Sequence, residues 1–346
     1  MFFLKFMCRN RKKLSLSRFE LTHRTMHENI CCKGRGFLCV EERWGMRNCR
    51  DMINKLLKIA FVGGDRRLVH AAAVLAEEGH ECALFGFDTY TGNVGSATRC
   101  DTLEDALSLA DVVVLPLPAT CDGITVQAPL SAKCILLDEI FTHVSRDTLI
   151  VYGGGCFKME KHVPCGVTAV NYAARADFQT ANAVPTAEAA LAIAMRELPV
   201  TLAGLPVLVV GYGRIGKVLC RLLNAFGAKV YASARKSEDL VMAGIAGCTP
   251  VYTDCISKIA GDCRLIVNTV PKPVVGAQVL AHVKKDALVI DLASKPGGVD
   301  FEAAKDAGIK TLWALGLPGK VFPVSAGKIL ADTVLTVLAE RSDGKC

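Results

Sequence analysis

The chain has 346 residues, 51% of them hydrophobic and 22% charged, which suits about two globular domains. No run approaches the roughly 20 apolar residues that a membrane-spanning helix needs, so no membrane role is expected. The formal charge of +7 belongs to residues 1–51, which hold 12 Lys/Arg against 5 Asp/Glu. The rest holds 29 of each sign, and a nucleic-acid-binding reading loses its footing.

The basic leader, residues 1–51, begins MFFLKFMCRNRKKLS. It does not read as a signal peptide: Lys5 interrupts the apolar run, and charges follow where a cleavage site should lie. It reads as a disordered extension or, preferably, as sequence ahead of a true start at Met46 or Met52. The 16 cysteines form no C-x-x-C pair. Free thiols in a reducing cytoplasm are expected, and no metal site, since Cys255 and Cys263 are too far apart for a zinc knuckle.

From Leu57 onward, short β-branched runs alternate with amphipathic segments, the pattern of an α/β fold with parallel sheet. A first α/β domain, residues 52–181, reads as a strand at 58–62, a helix over 66–78 and strands at 81–86, 111–116 and 148–153. Helices are expected over 102–109 and 131–143. Its first turn, Gly63-Gly64-Asp65-Arg66-Arg67, lacks a third glycine and is crowded by charge, so it is not read as a dinucleotide site. A hinge, residues 182–200, carries a helix from Pro185 to Leu198 that starts near Thr186 and Glu188.

The second domain, residues 201–322, reads as a Rossmann doubly wound parallel sheet of about six strands. Strands are expected at 207–210, 229–232, 249–252, 264–269, 287–293 and 310–315, with helices over 214–226 and near 237–246. A last helix, Ser325 to Glu340 in the segment 323–346, is expected to pack back on the first domain. The two blocks read as similar in class only.

Gly211-Tyr212-Gly213-Arg214-Ile215-Gly216 is G-x-G-x-x-G, placed after a strand and opening a helix, as a dinucleotide turn requires. Ile215, Val218, Leu219, Leu222, Leu223 and Phe226 make one apolar helix face, and Gly227 is the expected cap. The ribose position falls near Ser233, where NAD enzymes carry an acid. The turn Ser233-Ala234-Arg235-Lys236 is cationic instead and points to NADP, with NAD possible. The strand ends Asn268-Thr269-Val270-Pro271 and Asp291 with Ala293 complete the expected cofactor set.

The strings GGDRRLV, NAVPTAEAALAIAM, VVGYGRIGKVL, GAKVYASARKSEDL, VNTVP, LVIDLASKPGGVDFEAAK and GLPGKVFPVSAGKIL together resemble the dipicolinate synthase A-chain family, from about Leu57 to the last helix. The leader has no counterpart in it. Phe322-Pro-Val-Ser325 departs from the Ala-Pro-Lys-Thr of that family, which removes a cation at Val324 and leaves Lys320 as the better candidate.

The resemblance implies NADP-dependent oxidation of a dihydrodipicolinate-type intermediate to pyridine-2,6-dicarboxylate during sporulation, alongside a flavoprotein-like B subunit in an oligomeric assembly. A small dicarboxylate substrate asks for cations and N–H donors. Arg66, Arg67 and Lys320, with Lys295 beside them, and the neutral donors Asn171, Thr186 and Ser294 are the candidates. Glu188 and His143 are the options for a general base. Two readings stay open: a non-catalytic NADP-binding scaffold for the B subunit, and a 2-hydroxyacid or shikimate-type dehydrogenase.

Overall fold

The computed structural model describes residues 55–154, 159 and 162–342; the leader expected over residues 1–51 lies outside them. The first domain runs β1 (Lys58–Val62), α1 (Arg66–Glu77), β2 (Glu81–Phe85), β3 (Thr98–Arg99), α2 (Leu103–Leu107), β4 (Val112–Val114), α3 (Leu137–His143), β5 (Leu149–Tyr152) and β6 (Thr168–Asn171). Its strands are parallel, in the order β3-β2-β1-β4-β5-β6. The central residues of β1, β2, β4 and β5 are apolar and buried, as expected where helices cover both faces of a sheet.

The second domain repeats that winding. It comprises β7 (Pro206–Val210), α5 (Arg214–Ala225), β8 (Lys229–Ala234), α6 (Ser237–Ile245), β9 (Thr249–Tyr252), α7 (Ser257–Ala260), β10 (Leu265–Asn268), α8 (Ala277–Leu280), β11 (Leu288–Asp291), α9 (Phe301–Asp306) and β12 (Lys310–Trp313). The order is β12-β11-β10-β7-β8-β9. In each sheet the chain starts in the middle, winds to one edge and crosses over to wind to the other. The reading of two blocks alike in class only is therefore corrected: they share one strand order. What concealed this are β3, two exposed residues long, and β6, which is only partly buried.

The hinge also differs from expectation. Helix α4 spans Ala176–Glu197, so it begins nine residues before Pro185, which lies inside it. Its first half joins the core of the first domain through Phe178, while Ala187, Ala190, Leu191 and Ala194 join the core of the second. Burial on both sides offsets the backbone hydrogen bond that an internal proline forfeits. Helix α3 is likewise shorter than expected: of residues 131–143, only the last seven are helical.

Two helices close the chain, the short α10 (Leu317–Val321) and the longer α11 (Pro323–Ser342). Leu330, Ala331, Val334 and Leu338 of α11 share the first domain's core with Leu68, Val69, Ala72 and Leu75 of α1. The approach is close enough to demand a glycine: a Cβ at Gly327 would lie 2.6 Å from Cβ of His70 and 2.8 Å from the Arg67 carbonyl oxygen. Arg175, at the start of α4, locks the far end of α11. Its two terminal nitrogens donate to the two oxygens of Glu340 at 2.7 and 2.8 Å, and it also pairs with Asp177 at 2.7 Å.

Candidate active site

Each glycine of the β7–α5 turn does a different job. Gly211 has a φ of +97° and donates its N–H to the Ser233 carbonyl oxygen at 3.1 Å and to the Ser233 Oγ at 3.3 Å. A Cβ there would lie 2.6 Å from Thr269 Oγ1, whose hydroxyl donates to the Val210 carbonyl at 3.0 Å. A Cβ at Gly216 would collide with the Gly211 carbonyl oxygen, so that glycine lets helix and strand close up. Gly213 is different: nothing lies within 4 Å of where its Cβ would be. The missing side chain there leaves open space in front of a helix start.

That start has no side-chain cap, so the first N–H groups of α5 face the opening, with the exposed Arg214 beside them. Unpaired amides, a helix dipole and a cation make an anion site of the kind that holds a pyrophosphate. A dinucleotide fits this cradle. The Tyr212 side chain is taken up elsewhere. Its ring is buried in the core, its hydroxyl donates to the Met242 carbonyl at 3.4 Å, and Lys217 Nζ sits 5.4 Å from the ring centre. Burial pushes that hydroxyl's pKa up.

At the ribose end the expectation needs correcting. Ser233 is fully buried, with its hydroxyl turned to the Gly211 N–H, and Ala234 is buried beside it. The end of β8 is covered on both faces, so consecutive residues there are buried although they alternate in direction. The exposed residues of the turn are Arg235 and Lys236, the latter 3.3 Å from Glu238. Among the described residues, none pairs with the Arg235 guanidinium.

Asn268 and Asp291 also do other work than contacting a ligand. Both are fully buried at the ends of β10 and β11, and Asn268 Nδ2 donates to Asp291 Oδ1 at 2.8 Å. Asn268 further exchanges bonds with the Val270 backbone, and Asp291 accepts from the N–H groups of Ala293, Gly298 and Val299. The pair thus shapes the loops on which Thr269, Val270, Pro271 and Ser294 stand. Ala293 is buried and accepts from Trp313 Nε1 at 3.0 Å, while Pro271 and Ser294 are exposed.

A cleft of about 410 Å3 opens between the carboxyl ends of both sheets. One wall is Gly213, Arg214, Ile215 and Thr269; the second is Leu117 and Ala173 of the first domain. The third is a face of α4 with Phe178, Gln179, Asn182, Ala183 and Thr186. Of the substrate candidates only Thr186 lines it, and its hydroxyl donates to the Asn182 carbonyl at 2.7 Å.

Arg67 is buried and consumed by Asp65, with Nη2–Oδ2 at 2.8 Å, and by the Leu117 carbonyl at 3.1 Å. Burial works against its charge and Asp65 outweighs that, so its pKa is raised. Asn171 caps a turn, accepting from Gly154 and Ala173. Arg66 and Lys320 are exposed and outside the lining, and so is Lys295. Glu188 is exposed on α4, and His143 stands 3.7 Å from Glu104, away from the cleft. Gln179 and Phe178 escaped sequence reading because the helix that carries them starts earlier than its proline suggested.

Residues 173–304, which include the glycine turn, match the NAD binding domain of the D-isomer specific 2-hydroxyacid dehydrogenases. The chain is therefore an NAD(P)-dependent oxidoreductase. Residues 58–172 match the N-terminal domain of the dipicolinate synthase A subunit. The A subunit of dipicolinate synthase from Bacillus subtilis (strain 168) is 32% identical over 286 residues, 82% of this chain and 96% of the relative. The crystal structure of the Bacillus halodurans A subunit superimposes with a TM-score of 0.76 at 32% identity, over 83% of this chain and 100% of that one. The chain belongs to the A-chain family of dipicolinate synthase. A transhydrogenase from Sinorhizobium meliloti, 16% identical, shares the fold with a TM-score of 0.62 over 82% of this chain and 94% of its own. No helix among the described residues is long and apolar enough to cross a membrane.

Proposed function

We propose that this protein is a dipicolinate synthase A chain that oxidises a dihydrodipicolinate-type intermediate to pyridine-2,6-dicarboxylate with NADP. On this reading it works in the cytoplasm of a sporulating cell with a flavoprotein-like B subunit, in an oligomeric assembly. The observation that carries it is the cleft: the open Gly213 turn forms one wall, and the domain matching the dipicolinate synthase A-chain family forms another. Bound in it, NADP supplies the hydride acceptor.

The chain's own residues have distinct tasks. The amides of residues 213–215, with the Arg214 cation, hold the pyrophosphate. Arg235, exposed and unpaired among the described residues two positions past Ser233, the place where NAD enzymes carry an acid, takes the 2′-phosphate. Leu117, Phe178 and Ile215 line the cleft with apolar surface, which strengthens polar contacts once ligands fill it and displace water. Arg66 and Lys320 stand outside the lining, where they steer a dianion inward. Aromatisation of the ring supplies the driving force.

One observation favours a second reading, the NADP-binding scaffold. Among the described residues, no carboxylate, imidazole, amine or thiol lines the cleft. A 2-hydroxyacid or shikimate-type dehydrogenase would bring a His with an acidic partner, or a Lys/Asp pair, to this place. The test is the purified full chain with NADP and freshly generated dihydrodipicolinate, followed at the nicotinamide absorbance band. Reduction without the B subunit supports the enzyme; reduction only with the B subunit supports the scaffold.

A further inference from the structure

Helix α4 presents Gln179, Asn182 and Thr186 to the cleft, residues at i, i+3 and i+7 on one face. Two of them are already committed. Gln179 Nε2 donates to the Ala173 carbonyl at 2.7 Å, and the Thr186 hydroxyl donates to the Asn182 carbonyl at 2.7 Å. Thr269, across the cleft, spends its hydroxyl on the Val210 and Gly211 carbonyls. The Asn182 carboxamide has no partner among the described residues, although the residue is half-buried. Asn182 and Arg214 are the two uncommitted polar side chains of the lining among the described residues.

These two divide the cleft. Arg214 opens α5 beside the glycine turn, where the phosphates gather, so the cofactor claims it. Asn182 stands on a different element, and the wall contributed by the first domain, Leu117 and Ala173, offers apolar side chains. The Asn182 carboxamide faces the open cleft, where water can satisfy it, and a ligand that fills the cleft displaces that water and must replace its hydrogen bonds. We infer that Asn182 is a substrate-binding residue, donating its Nδ2–H to a carboxylate oxygen of the pyridine-type dicarboxylate.

This rests on the proposed function, because the ligand class comes from it. A neutral donor suits the place. It recognises a carboxylate without competing with Arg214 for the pyrophosphate, and on a helix its position is fixed by the packing of Ala181 and Ala183 beside it.

The experiment uses the full chain and two probes, NADP and pyridine-2,6-dicarboxylate, with calorimetric binding of the dicarboxylate to the protein saturated with NADP. Asn182→Ala is expected to weaken dicarboxylate binding about tenfold, by loss of a charge-assisted hydrogen bond. Asn182→Asp, nearly the same shape, is expected to weaken it about a hundredfold by setting one carboxylate against another. NADP binding without the dicarboxylate should stay within about twofold in both, which also reports that each variant is folded. Dicarboxylate binding unchanged in Asn182→Asp overturns this assignment and leaves the proposed function standing. A loss of NADP binding instead, in a variant that melts like the parent, overturns it in favour of a cofactor contact. Failure of the unmodified protein to bind the dicarboxylate overturns both.

Discussion

Asn268 and Asp291 are bound to each other across adjacent strands, Nδ2 to Oδ1 at 2.8 Å, with neither side chain exposed. The carboxylate also accepts from Gly298 at 2.8 Å, in a loop with no room for side chains: a Cβ at Gly298 would overlap the Val270 carbonyl oxygen. A buried charge answered by several N–H donors is strongly coupled to the loop it holds. Asp291→Asn keeps the shape but turns one acceptor into a donor facing N–H groups. It is expected to cost about 2–4 kcal/mol, from buried hydrogen-bonding groups left unpaired, and to lower the melting temperature. A variant that melts like the parent would contradict the account of this loop.

The glycine turn offers a sharper contrast. Gly213→Ala places a methyl in open space at a φ of −83°, so the fold should hold and the melting temperature should shift little. NADPH binding, measured by fluorescence titration, should fall at least about tenfold, because the methyl stands where the pyrophosphate must approach. Gly216→Ala should behave differently and destabilise the protein, since its methyl meets the Gly211 carbonyl oxygen. Equal effects of the two substitutions on stability would refute this division of roles.

The second domain was legible because its signals are local: strand, glycine turn and apolar helix face follow one another from Val207 to Phe226. The first domain's matching topology was not, because β3 has two exposed residues and no pattern to find. Pro185 misled for a physical reason. A proline reads as a helix start, but Phe178 and Ala181 are buried upstream of it, and tertiary packing overrides the local rule. At the site, the partners that the side chains take up were not legible. Nothing in the string Asp65-Arg66-Arg67 says that the second arginine folds back onto the aspartate, or that Ser233 turns inward to Gly211.

On the proposed reading, Arg235 sets the cofactor preference. With Ser233 and Ala234 buried, no carboxylate from this strand end confronts a 2′-phosphate, and the guanidinium is unpaired among the described residues. The full chain is expected to bind NADPH more tightly than NADH. Arg235→Ala should weaken NADPH by about ten- to a hundredfold, the worth of a charge-assisted hydrogen bond, and leave NADH nearly unchanged. Lys236→Ala should matter less, because Glu238 already stands beside Lys236. Equal affinity of the parent for the two cofactors would remove the NADP reading of this turn.

Arg175 makes acid sensitivity predictable. Burial raises the Asp177 pKa, and the hydrogen bond and charge of Arg175 together with backbone N–H donors such as that of Phe178 more than reverse it, so the carboxyl ionises below its ordinary value. A depressed carboxyl contributes stability above its unfolded value of about 3.9, and that contribution is lost as the pH falls through the folded value. Arg175→Met removes the cation from Asp177 and Glu340 together. Both carboxylates keep about a third of their surface in water, so screening limits the cost at pH 7 to about 1–2 kcal/mol. With its partner gone, Asp177 titrates nearer its unfolded value, and less stability is left to lose in acid. The melting temperature of Arg175→Met should therefore start lower at pH 7 and fall less steeply than the parent's between about pH 5 and pH 3. Parallel curves would show that the clamp between α4 and α11 is not what acid releases.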